Sequence, residues 1–171
     1  MVKFLTIVAL AACLLLSADT IQATSTQWLP DPKLTPGATN PDITQDNIGE
    51  TICANSRGGH WSTKSIRPRS SYTTKLKRKQ IGEYKYADKN LRSYEEDHLI
   101  SLEIGGSPTD PKNLWPQPYA GQWGARVKDK LEQRLNKLVC DGTLTLKEAQ
   151  AAIASDWISA YRKFVGGNQG S

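Results

Sequence analysis

Beyond its apolar N-terminal stretch the chain carries two cysteines, Cys53 and Cys140, and this pair constrains the fold more than any other feature. In an exported protein an even pair reads as one disulfide, and no other pairing is available. Such a bond closes a loop of roughly ninety residues, worth on the order of 4 kcal/mol by chain entropy. Any fold for the chain must therefore bring the region after its first fifty residues against the region just beyond Lys137. Two distant cysteines without clustered histidines are a poor zinc site.

Export is read from the first residues. Lys3 gives a basic start, Phe4 to Leu16 is almost wholly apolar, and Ile21-Gln22-Ala23 offers a small-residue cleavage site. The apolar run is too short to span a bilayer comfortably, so residues 1–23 read as a secretory signal, giving a periplasmic or secreted location. Leu10-Ala11-Ala12-Cys13 also looks like a lipobox, which would make a lipid-modified Cys13 a membrane tether. Residues 24–46 carry Pro30, Pro32, Pro36 and Pro41 among small polar residues, as in a linker or an extended segment hugging the surface. The globular domain is expected over residues 47–171, a length suited to one modest core.

Charge is concentrated. Of a formal net charge of +5, eleven lysines and arginines lie between Asn55 and Arg92 against Glu83 and Asp88. Trp61, Tyr72, Tyr84 and Tyr86 are interleaved with them, a composition suited to a polyanion such as DNA or RNA. Arg67, Arg69, Lys75, Lys77, Arg78 and Lys79 are the candidate phosphate contacts there, joined by Arg126 and Lys128 further on. No Gly-rich phosphate loop, internal repeat or base-reading module is present, so backbone contacts and little sequence preference are expected.

Periodicity predicts the rest. A short basic helix over Lys75–Ile81, with a threonine cap, is anchored by Leu76 and Ile81. Leu99, Leu102 and Ile104 before Gly105-Gly106 predict an irregular strand or hairpin, and Asn113-Leu114-Trp115 a second strand. From about Gln122, Val127, Leu131, Leu135 and Leu138 form one apolar stripe on a charged helix. Thr145 and Glu148 form a capping box that opens a last helix through about Phe164, with Leu146, Ala149, Ile153, Trp157, Ala160 and Tyr161 facing inward.

Tyr94-Glu95-Glu96-Asp97-His98, followed by a Gly-Gly turn and Asn113-Leu114-Trp115-Pro116-Gln117, resembles the HNH endonucleases over roughly Tyr94 to Leu138. The resemblance implies an α+β fold: a small ββα-metal core with additional helices. It also implies a divalent metal, Mg²⁺ or else Mn²⁺ or Zn²⁺, and hydrolysis of phosphodiester bonds. Carried over by position, His98 is the general base, Asp97 a metal ligand and Asn113 the residue that orients the histidine. A base near neutral pKa and a hard cation held by oxygen are what phosphodiester hydrolysis needs. The final histidine of the pattern is not matched. Its place falls on Gln122, and the other candidate ligands are Asp129 and Glu132, three apart on one helix face. The same region is similar to the non-specific secreted nucleases of the ββα-metal superfold, although their Asp-Arg-Gly-His motif is absent.

The reading is therefore an exported, metal-dependent endonuclease acting on DNA or RNA. The alternative is an HNH-like shell without activity that binds nucleic acid or another polyanion at the cell envelope. No protein partner is inferred.

Overall fold

The structure, a computed structural model, describes residues 28–166. The expected signal segment, Cys13 and residues 24–27 lie outside the described residues. The fold is α+β. A single turn α1 (Thr63–Ile66) and helix α2 (Ser70–Glu83) precede strand β1 (Tyr94–His98), and β2 (Leu114–Pro118) returns beside it. Helices α3 (Ala125–Cys140) and α4 (Leu146–Phe164) follow. The strands pair antiparallel, with Tyr94 opposite Pro118, Asp97 opposite Trp115 and His98 opposite Leu114. Among the described residues no helix is long and apolar enough to cross a membrane.

The core sits where α3 and α4 pack together and against the hairpin. Leu131, Leu135 and Leu138 of the α3 stripe are buried, and so are Leu146, Ala149, Ile153, Trp157 and Ala160 of α4. Trp115 from β2 joins them, while Trp123 meets Trp157 edge to face with ring centroids 5.9 Å apart. The capping box at the start of α4 forms as the spacing requires: Thr145 Oγ1 accepts from Glu148 N at 3.2 Å, and Thr145 N donates to Glu148 Oε2 at 2.8 Å. Just past its middle α4 breaks at Asp156 and restarts, because that carboxylate accepts from Ile158 N and Ser159 N. The Cys53–Cys140 disulfide is present, with Cα atoms 5.4 Å apart, and joins the end of α3 to the segment before α1. A disulfide of this kind suits an oxidising, non-cytoplasmic compartment.

Three expectations are corrected. Helix α2 starts at Ser70, not Lys75, and no threonine side chain caps it. Its first turn is held instead by tertiary contact, the Tyr72 hydroxyl donating to the Thr109 carbonyl at 2.5 Å. The strand lies over the acidic run Tyr94–His98 itself, while Leu102–Ile104 forms one 3-10 turn. Residues 28–46 are part of the fold, which therefore begins well before Asn47. Thr35 is buried and donates to the Leu114 carbonyl, Trp157 Nε1 donates to the Trp28 carbonyl, and Thr39 bridges Gly106. Apart from Ile43, which is buried in the core, the segment is held by backbone groups and the Thr35 hydroxyl, which is why it carries no apolar period.

Candidate active site

Side chains alternate along β1, so Glu95 and Asp97 leave one side of the strand while Tyr94, Glu96 and His98 leave the other. His98 is 4% exposed. Its Nε2 lies 3.0 Å from the Pro108 carbonyl oxygen. A carbonyl only accepts, so the neutral ring carries its hydrogen on Nε2 and its lone pair on Nδ1. Nδ1 has no hydrogen-bond partner among the described residues. Burial lowers the pKa of the imidazole below its ordinary value, against the opposing pull of the Pro108 bond and the Asp97 charge. The ring is thus an oriented, neutral base at physiological pH.

Pro108 is held in place by the loop between the strands, and Asn113 organises that loop. Its Oδ1 accepts from Ile100 N at 2.9 Å and Ala38 N at 3.4 Å. Its Nδ2 donates to the carbonyls of Ile100 at 3.0 Å and Ser107 at 2.9 Å. Asn113 makes no hydrogen bond to the imidazole. It acts on His98 through the loop that presents the Pro108 carbonyl. The Gly pair is required here: Gly105 has φ +73°, and a Cβ on Gly106 would overlap the Ile100 carbonyl.

On the other side of β1 stands a buried lysine. Lys128 Nζ donates to Asp97 Oδ2 at 2.7 Å, to the His98 carbonyl at 2.7 Å and to Glu132 Oε1 at 2.5 Å. Ser101 Oγ donates to the other Glu132 oxygen at 2.9 Å. The Lys128 side chain is 0% exposed, Asp97 14% and Glu132 15%. The expectation that Lys128 contacts phosphate at the surface is corrected: all three of its N–H groups are used inside the protein. Burial by itself would lower the lysine pKa, but Asp97 and Glu132 outweigh it and the ammonium is held firmly charged. For Glu132 burial is the main cause and the pKa is raised, with Lys128 and Ser101 working against it. One cation cannot neutralise two carboxylates in so enclosed a place.

This arrangement decides how the expected metal ligands stand. Asp97 and Glu132 are brought together, but around an ammonium. Among the described residues no three His, Cys, Asp or Glu side chains gather to hold a metal ion. Gln122 is exposed in the turn before α3, and Asp129 faces solvent one position beyond Lys128. With the Lys128 ammonium bonded to both carboxylates, the residues as placed do not fit Mg²⁺, Mn²⁺ or Zn²⁺ between Asp97 and Glu132.

Five carboxylates nonetheless share this side. Burial raises the pKa of Glu95, Glu103 and Asp129; Asp97 adds to the rise for Glu95 and Asp129, and Asp129 adds to it for Glu103. Arg67 offsets all three and also acts on His98. Arg67, Arg69, Lys75, Arg78, Lys79 and Arg126 are exposed, as phosphate contacts must be. Lys79 pairs with Glu83 at 2.8 Å. Lys77 is half-buried, its Nζ donating to the Tyr94 carbonyl at 2.8 Å.

Pro108, Ser101, Glu103 and the internal role of Lys128 were not anticipated from the sequence. Two signals were there to find. Glu95 and Asp97 alternate onto one strand face, and Lys128 and Glu132 stand four apart on one helix face.

Compared with known proteins, the chain matches no family model, no curated protein and no solved structure.

Proposed function

We propose that the protein is an exported endonuclease of the HNH-like kind, periplasmic or secreted. It would hydrolyse phosphodiester bonds in DNA or RNA with little sequence preference. The observation that carries this reading is the oriented imidazole, whose Nε2–H bond to Pro108 leaves the Nδ1 lone pair free of any described partner. In the reaction, Nδ1 takes a proton from water as the water oxygen forms the new P–O bond, the bond to the leaving sugar oxygen breaks in line, and that oxygen takes a proton from solvent water. Arg67, an exposed cation whose charge reaches His98, would offset the charge that builds on the phosphoryl oxygens. The basic residues of α2 and Arg69 would follow the phosphate backbone, so binding weakens steeply with salt. The disulfide supports the exported location.

The test is plasmid cleavage by the oxidised full chain beside His98→Ala, in Mg²⁺, Mn²⁺, Zn²⁺ and EDTA. The variant should lose about 10²-fold or more in rate, the usual contribution of a general base. Cleavage by His98→Ala at the wild-type rate would end the proposal.

A second reading, a polyanion-binding protein without activity, is favoured by one observation: an ammonium stands where the metal was expected. Intact plasmid that is still retarded on a low-salt gel, by wild type and His98→Ala alike, selects it.

A further inference from the structure

Lysine is among the residues least often buried, and taking an ammonium out of water costs several kcal/mol unless its partners are well placed. Lys128 is fully enclosed, and its three N–H groups meet three oxygens at 2.5–2.7 Å. Two of these oxygens are carboxylate and one is the main-chain carbonyl of His98. Neither carboxylate has another cation within salt-bridge distance among the described residues. The position is shaped for one positive charge, and the chain fills it itself.

We propose that Lys128 is the built-in cation of this site, and that its ammonium keeps divalent ions out of the Asp97–Glu132 position in the wild-type protein. A magnesium-sized ion draws oxygens in to about 2.1 Å in an octahedral shell that includes water. It could enter only by expelling the ammonium, which sits on a side chain that is 0% exposed. The ammonium also has a mechanical task. It ties the Asp97 side chain and the His98 carbonyl to α3, and so fixes the strand end that carries the imidazole. Lys128 is in this sense a positioning residue. The inference rests on reading the surroundings of His98 as the working site, but its readouts are ion binding and stability, not cleavage.

Mn²⁺ titration of the oxidised full chain tests it, followed by paramagnetic broadening of the Asp97, His98 and Glu132 amide signals and by Tm. The wild type should show no saturable broadening at these positions and no Tm gain with Mn²⁺ or Mg²⁺. Lys128→Met keeps the stem and removes the charge. It should melt lower in EDTA and recover with a Tm that climbs with the logarithm of Mn²⁺ concentration, as linked binding requires. Adding Asp97→Asn should abolish that recovery. Saturable Mn²⁺ binding by the wild type that Asp97→Asn removes would overturn the proposal, as would a folded Lys128→Met protein indifferent to Mn²⁺. If Lys128→Met does not fold, the wild-type titration alone decides. Uncut plasmid would refute the nuclease reading and leave the Mn²⁺ result intact.

Discussion

Asn113 and Ile100 exchange two hydrogen bonds, the carboxamide oxygen accepting from Ile100 N at 2.9 Å and its nitrogen donating to Ile100 O at 3.0 Å. A side chain thereby does for the loop what a neighbouring strand does in a sheet. Asn113→Ala would leave the Ile100 and Ser107 backbone groups unpaired where water cannot replace the lost partner. At about 1 kcal/mol or more for each such group, the loss should reach about 3 kcal/mol, read as a lower urea midpoint. Asn113→Asp should be at least as damaging, since a carboxylate cannot donate to the two carbonyls. A variant as stable as wild type would show that the loop holds itself.

Glu96 has both carboxylate oxygens sealed from water and unpaired. Burial raises its pKa to about 8, with Lys77 opposing and Asp97 adding. A carboxyl raised in this way favours the fold while protonated. Its contribution is complete below the ordinary value of 4.5 and is lost as the pH climbs through about 8. Glu96→Gln should therefore overtake the wild type in stability across that window, by up to about 5 kcal/mol at its alkaline end. Chemical denaturation at several pH values measures the difference, and a constant gap would refute the assignment.

The disulfide should matter most to the unfolded chain. Reduction, or the Cys53→Ala and Cys140→Ala pair, should lower stability by about 4 kcal/mol. The far-ultraviolet spectrum below the new midpoint should be unchanged.

Charge reversal on α2 separates binding from catalysis. Lys75→Glu with Arg78→Glu, both exposed, should weaken DNA binding and reduce the salt slope by about one for each lost phosphate contact. The rate on saturating DNA should hold. An unchanged salt slope would move the nucleic-acid face elsewhere.

Features that depend on short-range periodicity were legible in the sequence. The Leu131, Leu135 and Leu138 stripe, the Thr145–Glu148 box and the inward face of α4 are all spacing arguments, and spacing survives folding. The disulfide followed from there being no other partner. Residues 28–46 were opaque because main-chain groups and the lone Thr35 hydroxyl hold them, and neither has a sequence signature. At the site, the Asp97-His98 pair marked the right strand, but Lys128 reads as an ordinary surface lysine. A buried Lys128–Glu132 pair and an exposed one have the same spacing, and only the Asp97 carboxylate arriving from β1 distinguishes them.

The bond between Cys53 and Cys140 makes a covalent ring that contains both strands, the loop of Asn113 and all of α3. A protease that cuts once anywhere in that ring opens it without dividing the molecule. The imidazole, its carbonyl partner and the buried lysine would all stay on one piece, and the cut would be visible only after reduction. Damage to the exposed turn around Thr109 need not mean loss of the part that carries the site.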